Sequence, residues 1–149
     1  MSKKITVTFE RKYDEAKPWN KNNTSPYISV ASPSRDIAAQ RNPNDIVINM
    51  KEIKVKYTYP LTHSEILTFN ADNDTAFTRS ELARKICEGY KFIYDTEHAA
   101  VSDPGHLPGM LNRKRSQGPY GIWGHDIGDL DLHTVEQVND NYFTLWVDS

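Results

Sequence analysis

With 149 residues, 38% hydrophobic and 26% charged side chains and a mean hydropathy of -0.68, the chain is long enough for one buried core and too polar for a membrane protein. Its 18 Lys and Arg against 20 Asp and Glu give a formal charge of -2, which removes the simplest electrostatic case for bulk nucleic-acid binding. The lone cysteine, Cys87, excludes an intramolecular disulfide, and no secretory apolar run follows Met1-Ser2-Lys3-Lys4-Ile5, so a cytoplasmic protein without a membrane segment is expected.

In chain order, Ile5-Thr6-Val7-Thr8-Phe9 alternates apolar and hydroxyl residues, the period-2 pattern of a strand with one face in a core. Arg11 to Pro26 is a long polar connection, with Trp19 expected to fold back over a sheet edge; Asn23-Thr24-Ser25 has the form of a glycosylation acceptor, which needs a secretion that nothing else suggests. Tyr27 to Ala31 reads as a second strand closed by Pro33, and Asp36 to Arg41 as one helical turn stopped by Pro43. Ile46 to Met50 and Ile53 to Tyr59 carry their apolar residues at even and then odd positions. That switch predicts a bulge or tight turn near Lys51-Glu52. Glu65 to Phe69 is one more strand before the turn residues Asn70 to Asp74.

Thr78-Arg79-Ser80-Glu81 is a capping box flanked by Phe77 and Leu82 in staple positions, so a helix starts at Thr78. Leu82, Ile86, Tyr90, Ile93 and Glu97 follow one stripe, with Ala83, Cys87 and Tyr94 beside it, which predicts a core helix to about Glu97. Gly89 inside that helix implies close approach to a strand, and Cys87 on the buried side reads as an inert core thiol. Leu130 to Val138 and Tyr142 to Val147 flank the turn sequence Asn139-Asp140-Asn141, so a C-terminal β-hairpin is expected. The expected fold is therefore α+β over residues 1–149, one domain with a mainly antiparallel sheet of five to seven strands packed on one long helix.

The densest stretch runs from Tyr120 to His133, with three of the seven glycines, Trp123, His125, His133 and three aspartates. His125 could act as a general base oriented by Asp126 or Asp129, with Ser116 or water as nucleophile, the pattern of a small hydrolase. Asp129, Asp131 and His133 would share a strand face as oxygen and imidazole ligands, with His98 and His106 on neighbouring segments. The spacing lacks the bidentate Glu of a calcium loop, an HExxH and a cysteine pair, so no metal and no cofactor are assigned. Arg113, Lys114 and Arg115 beside Tyr120 and Trp123 combine charge with aromatic faces, which suits an acidic protein partner or, on three basic residues alone, nucleic acid. The favoured reading is a non-enzymatic interaction or structural protein using these two loops, and the rival is a hydrolase or metal-dependent enzyme centred on His125, Asp126 and Asp129.

Tyr120-Gly121-Ile122-Trp123-Gly124-His125-Asp126-Ile127-Gly128-Asp129-Leu130 resembles a motif of short uncharacterised proteins of protists and large DNA viruses. The likeness extends back to Phe77-Thr78-Arg79-Ser80-Glu81-Leu82 and forward to Val147-Asp148-Ser149. The resemblance implies a viral or protist setting, including association with a virion, and carries no activity.

Overall fold

The computed structural model describes residues 3–12, 24–25, 27–102, 104–105, 107–108 and 113–149. The expectations for Trp19, for the acceptor at Asn23 and for His106 lie outside the described residues. The described elements are β1 (Thr6–Thr8), β2 (Arg11–Lys12), β3 (Thr24–Ser25), β4 (Ile28–Ser29), α1 (Pro33–Ala39), β5 (Ile46–Ile48), β6 (Glu52–Tyr57), β7 (Glu65–Asn70), β8 (Phe77–Thr78), α2 (Arg79–Ala100), a 3-10 turn (Ile127–Asp129), β9 (Asp131–Asn139) and β10 (Tyr142–Asp148).

The fold is α+β. Its main sheet runs β1-β9-β10-β6-β7, with β4 also on β9, and is antiparallel except where β10 runs parallel to β6. β9 and β10 form the C-terminal hairpin, turned at Asp140 with a left-handed φ of 42°. One sheet face buries Val7, Val135, Phe143, Ile53, Val55 and Tyr57 against Leu82, Ile86, Tyr90 and Ile93 of α2. Each such side chain contributes about 1.5–3 kcal/mol when fully buried. Among the described residues, no helix is long and apolar enough to cross a membrane.

α2 starts where its sequence says it must. Thr78 Oγ1 accepts from Glu81 N at 3.2 Å, and Phe77 and Leu82 are both fully buried. The Glu81 carboxylate instead accepts from Asp72 N at 2.7 Å, which ties the preceding turn to the helix. A Cβ on Gly89 would run into the Tyr57 hydroxyl and ring, the close approach that the glycine implied. Cys87 is buried, and burial with the nearby Asp36 and Glu88 carboxylates pushes its thiol up to about 12, so it stays protonated at neutral pH.

Three segments differ from the sequence expectation, the first being Arg11 to Pro26, expected as a connection, whose ends pair as β2 and β3. β5 does not continue into β6: it pairs with β8 in a separate two-stranded sheet, so of the two alternatives near Lys51 the chain takes the turn, a bend at Lys51 between strands of two sheets, and not a bulge within one strand. α1 begins at Pro33, three residues before the expected turn, because proline is well placed in a helical first turn where no amide is needed. The Asp36 carboxylate then accepts from Ser29 N at 2.8 Å, fastening α1 to β4.

Candidate functional site

The segment 113–129 is organised from beneath by Glu97, in the last turns of α2. Glu97 is fully buried, and its carboxylate accepts from Tyr120 N at 2.8 Å, Gly118 N at 3.1 Å, Ile122 N at 3.3 Å and the Ser116 hydroxyl. Burial alone would raise its pKa; the Ser116 and backbone donors outweigh that and hold the carboxyl below its ordinary value. A Cβ on Gly118 would collide with this carboxylate, so only glycine lets the chain close over it. The same turn is zipped to residues 60–63 by Trp123 N to Pro60 O, His63 N to Tyr120 O and the Thr62 hydroxyl to Gly121 O, at 3.0, 3.0 and 2.7 Å. Gly121, at φ 57°, supplies the left-handed conformation that this reversal requires.

The outward side of the turn carries a different set of groups. Trp123 is 41% exposed and meets the Tyr59 ring edge-on, with centroids 5.3 Å apart and planes at 89°. His125 lies next to them: its Nε2 is 3.1 Å from Ser149 Oγ, and its Nδ1 is 3.6 Å from Asp129 Oδ2. Ser149 Oγ is in turn 2.7 Å from the Tyr59 hydroxyl. The backbone of this cluster is pinned, since Tyr94 donates to His125 O at 2.8 Å and Asp126 N donates to Asp129 Oδ2 at 3.1 Å. His125, Asp129 and Ser149 thus meet at the surface although 24 residues separate the first from the last.

The structure divides the residues expected at the site. His125 and Asp129 come together, while Asp126 turns its carboxylate toward Arg113, 3.6 Å away. Arg113 is not part of an exposed basic loop: it is 3% exposed, lies 5.7 Å from the Tyr94 ring centroid and donates to His98 Nε2 at 3.0 Å. A guanidinium has no acceptor, so this bond requires His98 to present its bare Nε2. Lys114 and Arg115 do reach solvent. Tyr120 offers no stacking face, because it is 7% exposed and donates to Glu65 Oε2 at 2.9 Å; burial and that bond push its phenol up to about 12. Ser116 is not the nucleophile, since its hydroxyl is buried on Glu97.

Asp129, Asp131 and His133 do not converge. Asp129 belongs to the 3-10 turn, Asp131 pairs with Ser29 and Asp148 in the sheet, and His133 Nδ1 is 2.7 Å from Thr134 Oγ1. Among the described residues no group of three or more His, Cys, Asp or Glu is placed to hold a metal ion. Sequence reasoning missed Ser149 and Tyr59, for which it held no signal, and the role of Glu97, whose signal was a carboxylate on an apolar stripe. No family model, curated protein or solved structure matches the chain.

Proposed function

We propose that this chain is a recognition protein that binds a protein partner through the exposed edge of the Tyr120 to Asp129 turn, with Trp123 as anchor. The observation that carries this reading is an indole 41% exposed yet packed edge-on against Tyr59, on a backbone held by the Trp123 N–H donating to Pro60 O. A large apolar group already held in place loses little rotamer freedom on binding, which is the character of an interface hot spot. Arg113 bridges Gly124, which brings the exposed Lys114 and Arg115 that follow it to the segment carrying Trp123, and we take these two as the basic neighbours of the anchor. The partner is then a protein with an apolar pocket edged by Asp or Glu. Nucleic acid fits less well, because Tyr120 is buried and the net charge is -2. The protist and viral resemblance is consistent with a cytoplasmic or virion-associated partner.

A photo-crosslinking residue in place of Trp123, expressed in the source cells, tests this, with the same residue at Phe92 on the exposed side of α2 as control. One protein captured from position 123, lost on Lys114→Glu with Arg115→Glu and absent from position 92, is expected. No captured protein, or the same set from both positions, overturns the reading.

A further inference from the structure

We propose that Ser149, His125 and Asp129 form a nucleophilic constellation that transfers acyl groups from small, unhindered esters to water. The observation is a chain of side-chain contacts: the Tyr59 hydroxyl is 2.7 Å from Ser149 Oγ, Ser149 Oγ is 3.1 Å from His125 Nε2, and His125 Nδ1 is 3.6 Å from Asp129 Oδ2. With His125 neutral and its proton on Nδ1, Ser149 donates to Nε2 and Tyr59 donates to Ser149, the order that the proposal uses. The last distance is too long for a hydrogen bond; contacts of this kind commonly tighten only when substrate is bound. Ser149 is exposed and the His125 side chain is 21% exposed, so an ester can reach the hydroxyl directly. The fixed Trp123 indole beside Tyr59 and His125 offers an apolar surface to the acyl group.

In the step, Ser149 Oγ bonds to the ester carbonyl carbon, the carbonyl π pair moves onto oxygen, and the hydroxyl proton passes to His125 Nε2. The Tyr59 hydroxyl, freed from Oγ, can donate to the charged oxygen. Collapse breaks the bond to the leaving alcohol, which takes the proton from Nε2 and departs. Water, deprotonated by the same nitrogen, then attacks the acyl-serine, releasing the carboxylic acid and restoring the hydroxyl. Asp129 is a positioning residue that holds the ring with Nδ1 protonated. Among the described residues, the charged or titratable groups in contact around His125 are Tyr59, Tyr94, Asp126 and Asp129, with Arg113 behind Asp126.

This inference shares the Trp123 surface with the recognition reading but fails separately from it, since its chemistry needs Ser149 and His125 and makes no use of Lys114 or Arg115. The test is labelling of the untagged full chain with a small alkyl fluorophosphonate, read by intact mass and peptide mapping. A single adduct on Ser149 is expected, forming at least about 100-fold more slowly in His125→Ala and His125→Gln, the size of a general-base contribution. Asp129→Asn should lower the rate while leaving the thermal midpoint in place, and Asp129→Glu should restore part of it. No adduct on the wild-type chain, an adduct on another residue, or a Ser149 adduct indifferent to His125 overturns the proposal. Wild-type labelling decides even if a variant fails to fold.

Discussion

The two sides of the Tyr120 to Asp129 turn are a few ångströms apart and are built on opposite terms. Beneath, the Glu97 carboxylate is buried and takes four donors, three backbone amides and the Ser116 hydroxyl. Above, Trp123, His125 and Ser149 are solvent-accessible and joined by single contacts. Charge-assisted bonds in a dry site are stronger and more directional than neutral ones in water. The buried side can therefore fix the backbone, leaving the outer side chains free to act on a partner or a substrate.

The largest break in this contrast is Glu97→Ala. It strands three amides, each worth about 1–3 kcal/mol when buried without a partner, and leaves the Ser116 hydroxyl only Ile122 O at 3.4 Å. We expect a loss of at least about 3 kcal/mol in urea unfolding, together with a change in Trp123 fluorescence. A loss below about 1 kcal/mol would show that water substitutes for the carboxylate and that the turn does not depend on it. The sign of the pH effect follows from the shift. The folded pKa lies below its ordinary value of 4.5, so the stabilisation is present above that value and disappears as pH falls through the folded pKa. The stability difference between wild type and Glu97→Gln should accordingly shrink from pH 5 downward; a difference constant to pH 2 refutes the assignment.

How much of this could be read from the sequence depended on how local the cause is. The start of α2 and the place of Gly89 are legible because a cap acts over three residues and a helical glycine implies its own close contact. Glu97 sits visibly on the apolar stripe, four residues after Ile93, but its partners lie 19 to 25 residues further on, in a stretch with no regular period. Arg113 looks like a member of a basic triplet, and tertiary contacts with Tyr94 and His98 of α2 and with Asp126 turn it inward. Ile46 to Met50 reads correctly as a strand but not as a strand of another sheet, because pairing partners leave no mark in parity. Ser149 carries no signal at all until the β10 strand delivers it to His125.

A sharper comparison of the two sides uses two glycines of the same hand. Gly121 and Gly124 have φ of 57° and 74°. A Cβ on Gly121 would sit 2.9 Å from both Cβ and Oγ1 of Thr62, whereas one on Gly124 meets nothing within 4 Å. Gly124→Ala should cost only the left-handed strain, about 1 kcal/mol, and Gly121→Ala that strain plus overpacking, about 2–4 kcal/mol in all. Thermal melts of the two variants measure the gap directly. Equal losses would mean that Thr62 yields freely and that the buried side is less tightly packed than its hydrogen bonds suggest.

The smallest effect on stability is expected at the most conspicuous residue. Trp123→Ala removes an edge-on aromatic contact with Tyr59, worth about 0.5–1.5 kcal/mol in a well-packed pair and less where one ring is partly solvated. Its backbone bond to Pro60 remains, and the Glu97 cradle is untouched. The expected loss is under about 1 kcal/mol, with near-UV dichroism of the tyrosines largely retained. A functional surface laid over a rigid support should behave in this way, because deleting the anchor removes what the protein does to others without removing what holds it together. If Trp123→Ala instead costs as much as Glu97→Ala, the indole is a structural plug. The exposed side of the turn would then be a continuation of the core, and both the recognition surface and the support offered to an acyl group would lose their basis.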